Sequence, residues 1–338
     1  MSMRGIRLVN EVANLDYNRY IYGDLSGMKP EQHDARFGNW WHWAETHGLN
    51  APEYLLPQLH VPTQITPFTF EQRFADSFGI APTRDEIDAA GPWAYQVEFG
   101  DISTLSRRMD ADWTYHRYRK SLLVDTATTI CGQLAGELSV LDVAAHCGVF
   151  SLEFATKGFA DVLGIDLREN NIRQAEFLRK TFDVPHVSFM ERNVWDIGDF
   201  KPRDVVFCGG LMYHVTYPMK LLQQLHDLTT EFLVFDTLTH KYPFSGFHLV
   251  CNKDVNYSAE GEFHYELHPT YRAICDGLQA VGFRHIYELI GDNASGVPNY
   301  DSGNVRSFIA AKSDSPRELL ASFVSAQPGS GGYLRNFG

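Results

Sequence analysis

Asp142 closes the apolar run "VLDV", and Asp166 closes the run "VLGID" 24 residues later. A carboxylate at the end of a strand can accept hydrogen bonds from both hydroxyls of a ribose. The turn that follows Asp142 is "AAHCG", and the free N–H groups of a helix opening after it favour an anionic group. Gly148 stands where a close backbone approach is needed. Ala144 and His146 stand where such turns usually carry glycine; Ala144 is tolerable if its φ is negative, and His146 must turn its ring away from a ligand or touch it. Further along, Tyr213 and His214 in "GLMYHVTYP" are the candidates for proton transfer, because histidine changes charge near neutral pH. His240, His264, Glu266 and His268 follow closely. They are candidates for binding a substrate, or with His214 for a two-histidine, one-carboxylate metal set; a solvated polar insertion explains the same residues, and no metal is expected.

The elements that must position these side chains are regular from about residue 121. "SVLDVAAH", "DVLGIDL", "VSFMERNV", "DVVFCGG", "EFLVFDTL", "RHIYELI" and "VRSFIAA" read as strands, with helical patterns such as "ENNIRQAEFLRKTF" and "PMKLLQQLHDLT" between them. Strands alternating with helices predict an α/β fold, a doubly wound, mostly parallel seven-stranded sheet with its ligand at the carboxyl ends of the strands. Residues 1–120 have another texture: aromatic and histidine-rich, with few periodic runs, as in "NWWHWAETHGLN" and "DWTYHRYRK". They are expected to form a mainly helical lid over the catalytic domain at 121–312, with a tail at 313–338. Trp113 and Tyr115 are candidates for substrate contact. Phe68, Phe70, Trp93 and Tyr95 either line an acceptor pocket or form a small core of their own. Arg107, Arg108, Arg117, Arg119 and Lys120 make a local basic run that pairs with an anionic substrate or with nearby acids.

Composition narrows the classes. With 29 Lys and Arg against 42 Asp and Glu, the formal charge of −13 repels a phosphate backbone, so nucleic acid is an unlikely partner by this reading. No run approaches the roughly 18–20 apolar residues of a membrane helix, and the start lacks a secretory pattern, so a cytoplasmic protein is expected. Five cysteines without a C-x-x-C pair read as reduced thiols; Cys147 and Cys208 read as small apolar packing residues rather than nucleophiles. Oligomeric state is not legible.

The order of Asp142, the glycine-bearing turn, Asp166, the polar segment "ERNVWDI" and the strand ending in "CGGLMYHVTYP" resembles the class I S-adenosylmethionine-dependent methyltransferases over roughly residues 120–312. The closing "RHIYELI" and "VRSFIAA" hairpin fits the same pattern. The resemblance implies S-adenosylmethionine as cofactor. It implies that the turn around Ala144, His146 and Gly148 wraps the methionine part, that Asp166 holds the ribose, that Asn193 and Val194 border the adenine, and that Cys208 and Gly209 lie beside the sulfonium and its methyl group. Ala144 and His146 in the turn and Asn193 for the usual aspartate depart from the family. Asp142 reads equally as a helix cap. The leading expectation is methyl transfer to a small, aromatic or apolar metabolite, with His214 as base. The alternatives are a transfer-RNA wobble-uridine modifying enzyme of the same fold, an NAD-dependent oxidoreductase, opposed by the lack of G-x-G-x-x-G, and a non-catalytic protein that keeps the fold.

Overall fold

Strands buried on both faces have no solvent side to pattern, so they read as nearly continuous apolar runs. The computed structural model describes residues 56–77, 80–104, 112–240, 245–251, 265–292, 296–297 and 299–326. In chain order these form β1 (Gln58–Val61), α1 (Thr69–Asp76), α2 (Arg84–Ala90), β2 (Glu98–Phe99), β3 (Ile102–Ser103) and α3 (Asp112–Arg119). A π-helical stretch, Lys120–Asp125, joins α3 to α4 (Thr126–Cys131). Then come β4 (Ser139–Val143), α5 (Val149–Thr156), β5 (Asp161–Asp166), α6 (Glu169–Thr181), β6 (Val187–Glu191), β7 (Arg203–Gly209), α7 (Pro218–Leu228) and β8 (Thr229–Leu238). The hairpin β9 (Phe247–Cys251) and β10 (Tyr265–Pro269) precedes α8 (Tyr271–Val281), β11 (His285–Gly291), β12 (Val305–Ala311) and α9 (Leu319–Ala326).

The main sheet runs β1-β11-β12-β8-β7-β4-β5-β6. All seven expected strands are present, and β12 is antiparallel to both β11 and β8. One strand was missed. β1, only four residues long, pairs in parallel with β11, Gln58 opposite Glu288, and makes the sheet eight-stranded. The order reverses beside β4, whose neighbours are β5 and β7, so the ends of these three strands face the switch point where such sheets bind ligands.

Alternation along each strand divides the core. Val205 and Phe207 of β7 face α5 and the helical run 112–131, in one cluster with Phe154, Val140 and Phe232. Val206 and Cys208 face α7 and α8, packing with Leu221, Leu225, Ile274 and Leu278. Helix α5 is buried on every side, since α1 lies across it; Glu153 in its middle takes the Thr69 amide at 2.7 Å and its hydroxyl at 2.6 Å.

Residues 54–338 form one compact unit. The expected change of texture at residue 120 falls inside a continuous helical run, and Phe68, Phe70 and Trp93 are core residues, not pocket lining. Phe70 packs on Phe182 and Trp93 on Phe177. The stretch expected as a tail contains α9, which buries Leu319 and Leu320. Residues 1–55, Arg107, Arg108, the side chain of Trp113, His264 and residues 327–338 lie outside the described residues. Among the described residues, no helix is long and apolar enough to cross a membrane.

Candidate functional site

The turn after β4 is left-handed at three residues, Ala144 (φ 63°), His146 (φ 52°) and Gly148 (φ 79°). The condition under which alanine is tolerated at 144, a negative φ, is therefore not met. The left-handed region costs an ordinary residue about 1–2 kcal/mol, so the turn must be held from outside. β5 holds it. Ala145 N–H donates to Ile165 O at 2.8 Å, and His146 N–H donates to Asp166 Oδ2 at 2.9 Å. His146 Nδ1 accepts the Cys147 N–H at 2.8 Å. Asp166 Oδ1 also accepts the Arg168 N–H at 2.9 Å and Asn171 Nδ2 at 3.0 Å.

Two further expectations for the turn are revised. Asp142 is buried beneath it and accepts the Ser151 hydroxyl at 2.5 Å, together with the Ser151 amide. Burial pushes its carboxyl up to about 7. The capping alternative thus describes Asp142, and the opening of α5 is partly satisfied from within rather than free for an anion. Gly148 is required by packing: a Cβ there would lie 2.5 Å from the Phe189 ring and 2.9 Å from Ala175 Cβ. Asn193 spends its carboxamide oxygen on the Trp195 N–H at 3.0 Å, capping the short turn Val194–Asp196, and Val194 packs against the lower core. Burial pushes the thiols of Cys147 and Cys208 upward, which fits packing and opposes nucleophilic use.

At the end of β7, Gly209 lies beside Asp236 of β8 and faces Arg119; a Cβ at Gly209 would stand 2.7 Å from Arg119 Nη2. Arg119 forks onto Asp236, Nε to Oδ2 at 2.9 Å and Nη2 to Oδ1 at 2.7 Å, and Tyr300 OH donates to the same Oδ2 at 2.6 Å. The guanidinium also lies over the rings of Tyr115 and Phe150, at 5.4 and 5.2 Å. The described part of the basic run is thus engaged within the protein: Arg117 pairs with Glu98 at 2.8 Å, and Lys120 bonds the Thr66 hydroxyl at 2.8 Å and lies 3.8 Å from Asp125. Asp236 and Tyr300 were missed from sequence. The one available signal was a lone acid inside the apolar run "EFLVFDTL".

His214 follows in the turn after β7, covered by β10. Its Nδ1 lies 3.2 Å from Glu266 Oε1, and the other oxygen of Glu266 meets His268 Nε2 at 2.7 Å. Burial works to raise the Glu266 carboxyl, but the two imidazoles beside its oxygens outweigh it and hold the group down at about 2. Tyr213 is packed on His214, ring centroids 4.0 Å apart, and near His268 at 5.6 Å. His240 stacks edge-on with His248 at 4.6 Å and lies 5.9 Å from His268; burial, then these neighbours, bring it down to about 4. Among the described residues, no group of three His, Cys, Asp or Glu side chains is placed to hold a metal ion. Glu266 instead bridges two imidazoles, an arrangement that orients a base.

Comparisons with known proteins agree with this geometry. A family described as "Methyltransferase domain" matches residues 134–279. A ubiquinone biosynthesis O-methyltransferase of Neisseria meningitidis serogroup A is 28% identical over 168 residues, covering 46% of this chain and 68% of that protein. A tRNA U34 carboxymethyltransferase of Helicobacter pylori (strain Shi470) is 26% identical over 212 residues, covering 61% of this chain and 74% of that protein. Among solved structures, the N-terminal domain of EvdMO1 with SAH bound superposes with a TM-score of 0.53 at 21% identity, over 69% of this chain and 98% of that one, which shows the shared fold. Two features of the strand ends suit such a cofactor: Gly209 and Gly210 leave the end of β7 bare beside Arg119 and Tyr213, and His146 Nε2 is a buried polar atom with no partner among the described residues. The oxidoreductase alternative gives way: residues 134–279 match a methyltransferase domain, in a chain with the fold of the S-adenosylmethionine-dependent enzymes.

Proposed function

We propose that this enzyme methylates a hydroxyl group of a small, aromatic or apolar metabolite. The observation that carries the proposal is the His214 and Glu266 pair, 3.2 Å apart at the end of β7. S-adenosylmethionine supplies an electrophilic methyl group on a sulfonium. A hydroxyl acceptor must lose its proton as it takes that methyl, and a neutral imidazole is a base suited to neutral pH. A proton on His214 Nδ1, which faces Glu266 Oε1 at 3.2 Å, would leave the lone pair on Nε2 for a substrate. Glu266 also stabilises the imidazolium that forms when Nε2 takes the proton. His268 holds the second oxygen of Glu266 and so fixes its plane.

Asp166 is the residue to hold the ribose, Asn193 Nδ2 the adenine edge, the turn Ala144–Gly148 the methionine part, and Gly209 the space beside the methyl. Tyr95, Tyr115 and Arg119 come from the region before residue 121, which thereby supplies one wall of the acceptor pocket. With Tyr213, Phe150 and Tyr300 they make that wall largely aromatic, which suits a flat acceptor. The name of the Neisseria relative points the same way.

The test is a panel of phenols, catechols and hydroxylated quinone precursors incubated with methyl-labelled S-adenosylmethionine and read by mass spectrometry. His214→Ala is expected to lower transfer by about 10²–10⁴-fold while leaving SAH affinity unchanged. Methylation of a hydroxyl at undiminished rate in that variant would remove the base from the mechanism. A second reading rests on the Helicobacter relatives: modification of transfer RNA. Binding of transfer RNA that weakens steeply with salt would favour it; the charge of −13 argues against it.

A further inference from the structure

The tautomer of His146 is fixed by its own turn. Nδ1 accepts the Cys147 N–H at 2.8 Å, so in the neutral ring the proton sits on Nε2. Burial lowers the imidazole to about 4, against the pull of Asp166, so the ring is neutral at pH 7. Nε2–H is therefore a donor. It is closed off from water, and no acceptor among the described residues meets it. Buried donors are nearly always paired, because leaving one unpaired costs more than an ordinary hydrogen bond returns. Glycine, which the family places here, would carry no such cost and would adopt φ 52° without strain.

The direction of the ring is also defined. The His146 main chain is tied to Asp166, while its imidazole lies 5.1 Å from the ring of Tyr95. Tyr95 packs on His116 at 4.0 Å and on Phe150 at 6.2 Å, and Phe150 underlies Arg119 beside Gly209. The ring thus lies on the side of the turn that carries Tyr95, whose neighbour Phe150 underlies Arg119 near the end of β7. The acceptor such a donor lacks is a carboxylate, to which an N–H bonds more strongly than to a neutral group.

We propose that His146 is a cofactor-binding donor, its Nε2–H bonding the carboxylate of the amino-acid tail of S-adenosylmethionine. This rests on the assignment of Asp166 to the ribose. The experiment is calorimetric titration of the full chain with SAH and with 5′-methylthioadenosine, which keeps the adenosine and thioether but has no amino-acid tail. His146→Gly keeps the left-handed turn and is expected to bind SAH on the order of tenfold more weakly, with methylthioadenosine affinity unchanged. His146→Gln restores an N–H donor and is expected to recover part of the loss. SAH affinity equal to or tighter than wild type in His146→Gly would overturn the proposal and make the ring a plug in the turn. Equal weakening toward both ligands would overturn it as well, assigning His146 to the shape of the turn alone. Wild type that binds neither ligand would overturn it together with the Asp166 assignment, an outcome distinct from both.

Discussion

Gly148→Ala separates the two roles a glycine in this turn can play. If glycine is there for ligand approach, an alanine weakens cofactor binding and leaves the free protein as stable as before. The structure requires the reverse. A methyl group at Gly148 would meet the Phe189 ring at 2.5 Å and Ala175 Cβ at 2.9 Å, and the residue sits at φ 79°. The left-handed conformation alone costs alanine about 1–2 kcal/mol, and forcing a methyl into a filled core adds about 1–3 kcal/mol. The sum, about 2–5 kcal/mol, lowers Tm by roughly 3–7 °C in a chain of this size. The assay is thermal and urea unfolding of the ligand-free protein, with Phe189→Ala as the second arm of a double-mutant cycle. Phe189→Ala removes the larger part of the clash and leaves the Ala175 contact and the backbone part, so Gly148→Ala should cost less in that background, by about 1–2 kcal/mol. A ligand-free Gly148→Ala protein within about 0.5 kcal/mol of wild type refutes the packing account, since that is the scatter of harmless surface changes.

Other expectations follow from the buried charges. Arg119→Ala leaves Asp236 in the core with only the Tyr300 hydroxyl and should cost about 3–5 kcal/mol in urea unfolding; a loss near zero would show that water reaches the carboxylate. Asp142 has its folded carboxyl raised to about 7 from 3.8, so the folded state holds its proton more tightly, and the stability it contributes is lost as pH rises through that window. Measured against wild type, the stability of Asp142→Asn should therefore improve steadily between about pH 4 and 7, on top of a constant change from the altered Ser151 bond. A difference independent of pH would place ionised Asp142 in water. The comparison must be a difference, because His146 and His240, both lowered to about 4, give the opposite slope over part of the same range in either protein.

The sheet was legible because its strands are buried on both faces and each is punctuated by a helix pattern. β1 was not, since four residues of alternating exposure carry too little pattern to separate a strand from a loop. The position of Asp166 at a strand end was legible from the run that precedes it. The role of Asp142 turned on a hydroxyl nine positions ahead, which sequence offers only as one serine among many. The reason for Gly148 lies in Phe189 on another strand, and the partner of His214 lies on a hairpin beyond β8. Both are long-range juxtapositions that local spacing does not encode. The aromatic residues before position 121 divided in a way composition cannot show: Phe68, Phe70 and Trp93 fill the core, while Tyr95 and Tyr115 stand beside Arg119 and His146.

Asp166 also sets how cofactor and turn are coupled. A carboxylate offers about four acceptor positions, and three are occupied: one on Oδ2 by the His146 N–H, two on Oδ1 by the Arg168 N–H and Asn171 Nδ2. A ribose brings two hydroxyl donors to a group with one free position. If Asp166 holds the ribose as proposed, one hydroxyl would take the open position on Oδ2, beside the bond that holds the turn, and the other would have to displace a donor from Oδ1. The Arg168 amide is fixed by the start of α6, whereas the Asn171 carboxamide hangs on a side chain, so Asn171 is the donor that yields. Oδ2 keeps its grip on His146 throughout. The turn is thus built before the cofactor arrives, and the contest for ribose is confined to the oxygen that does not hold it.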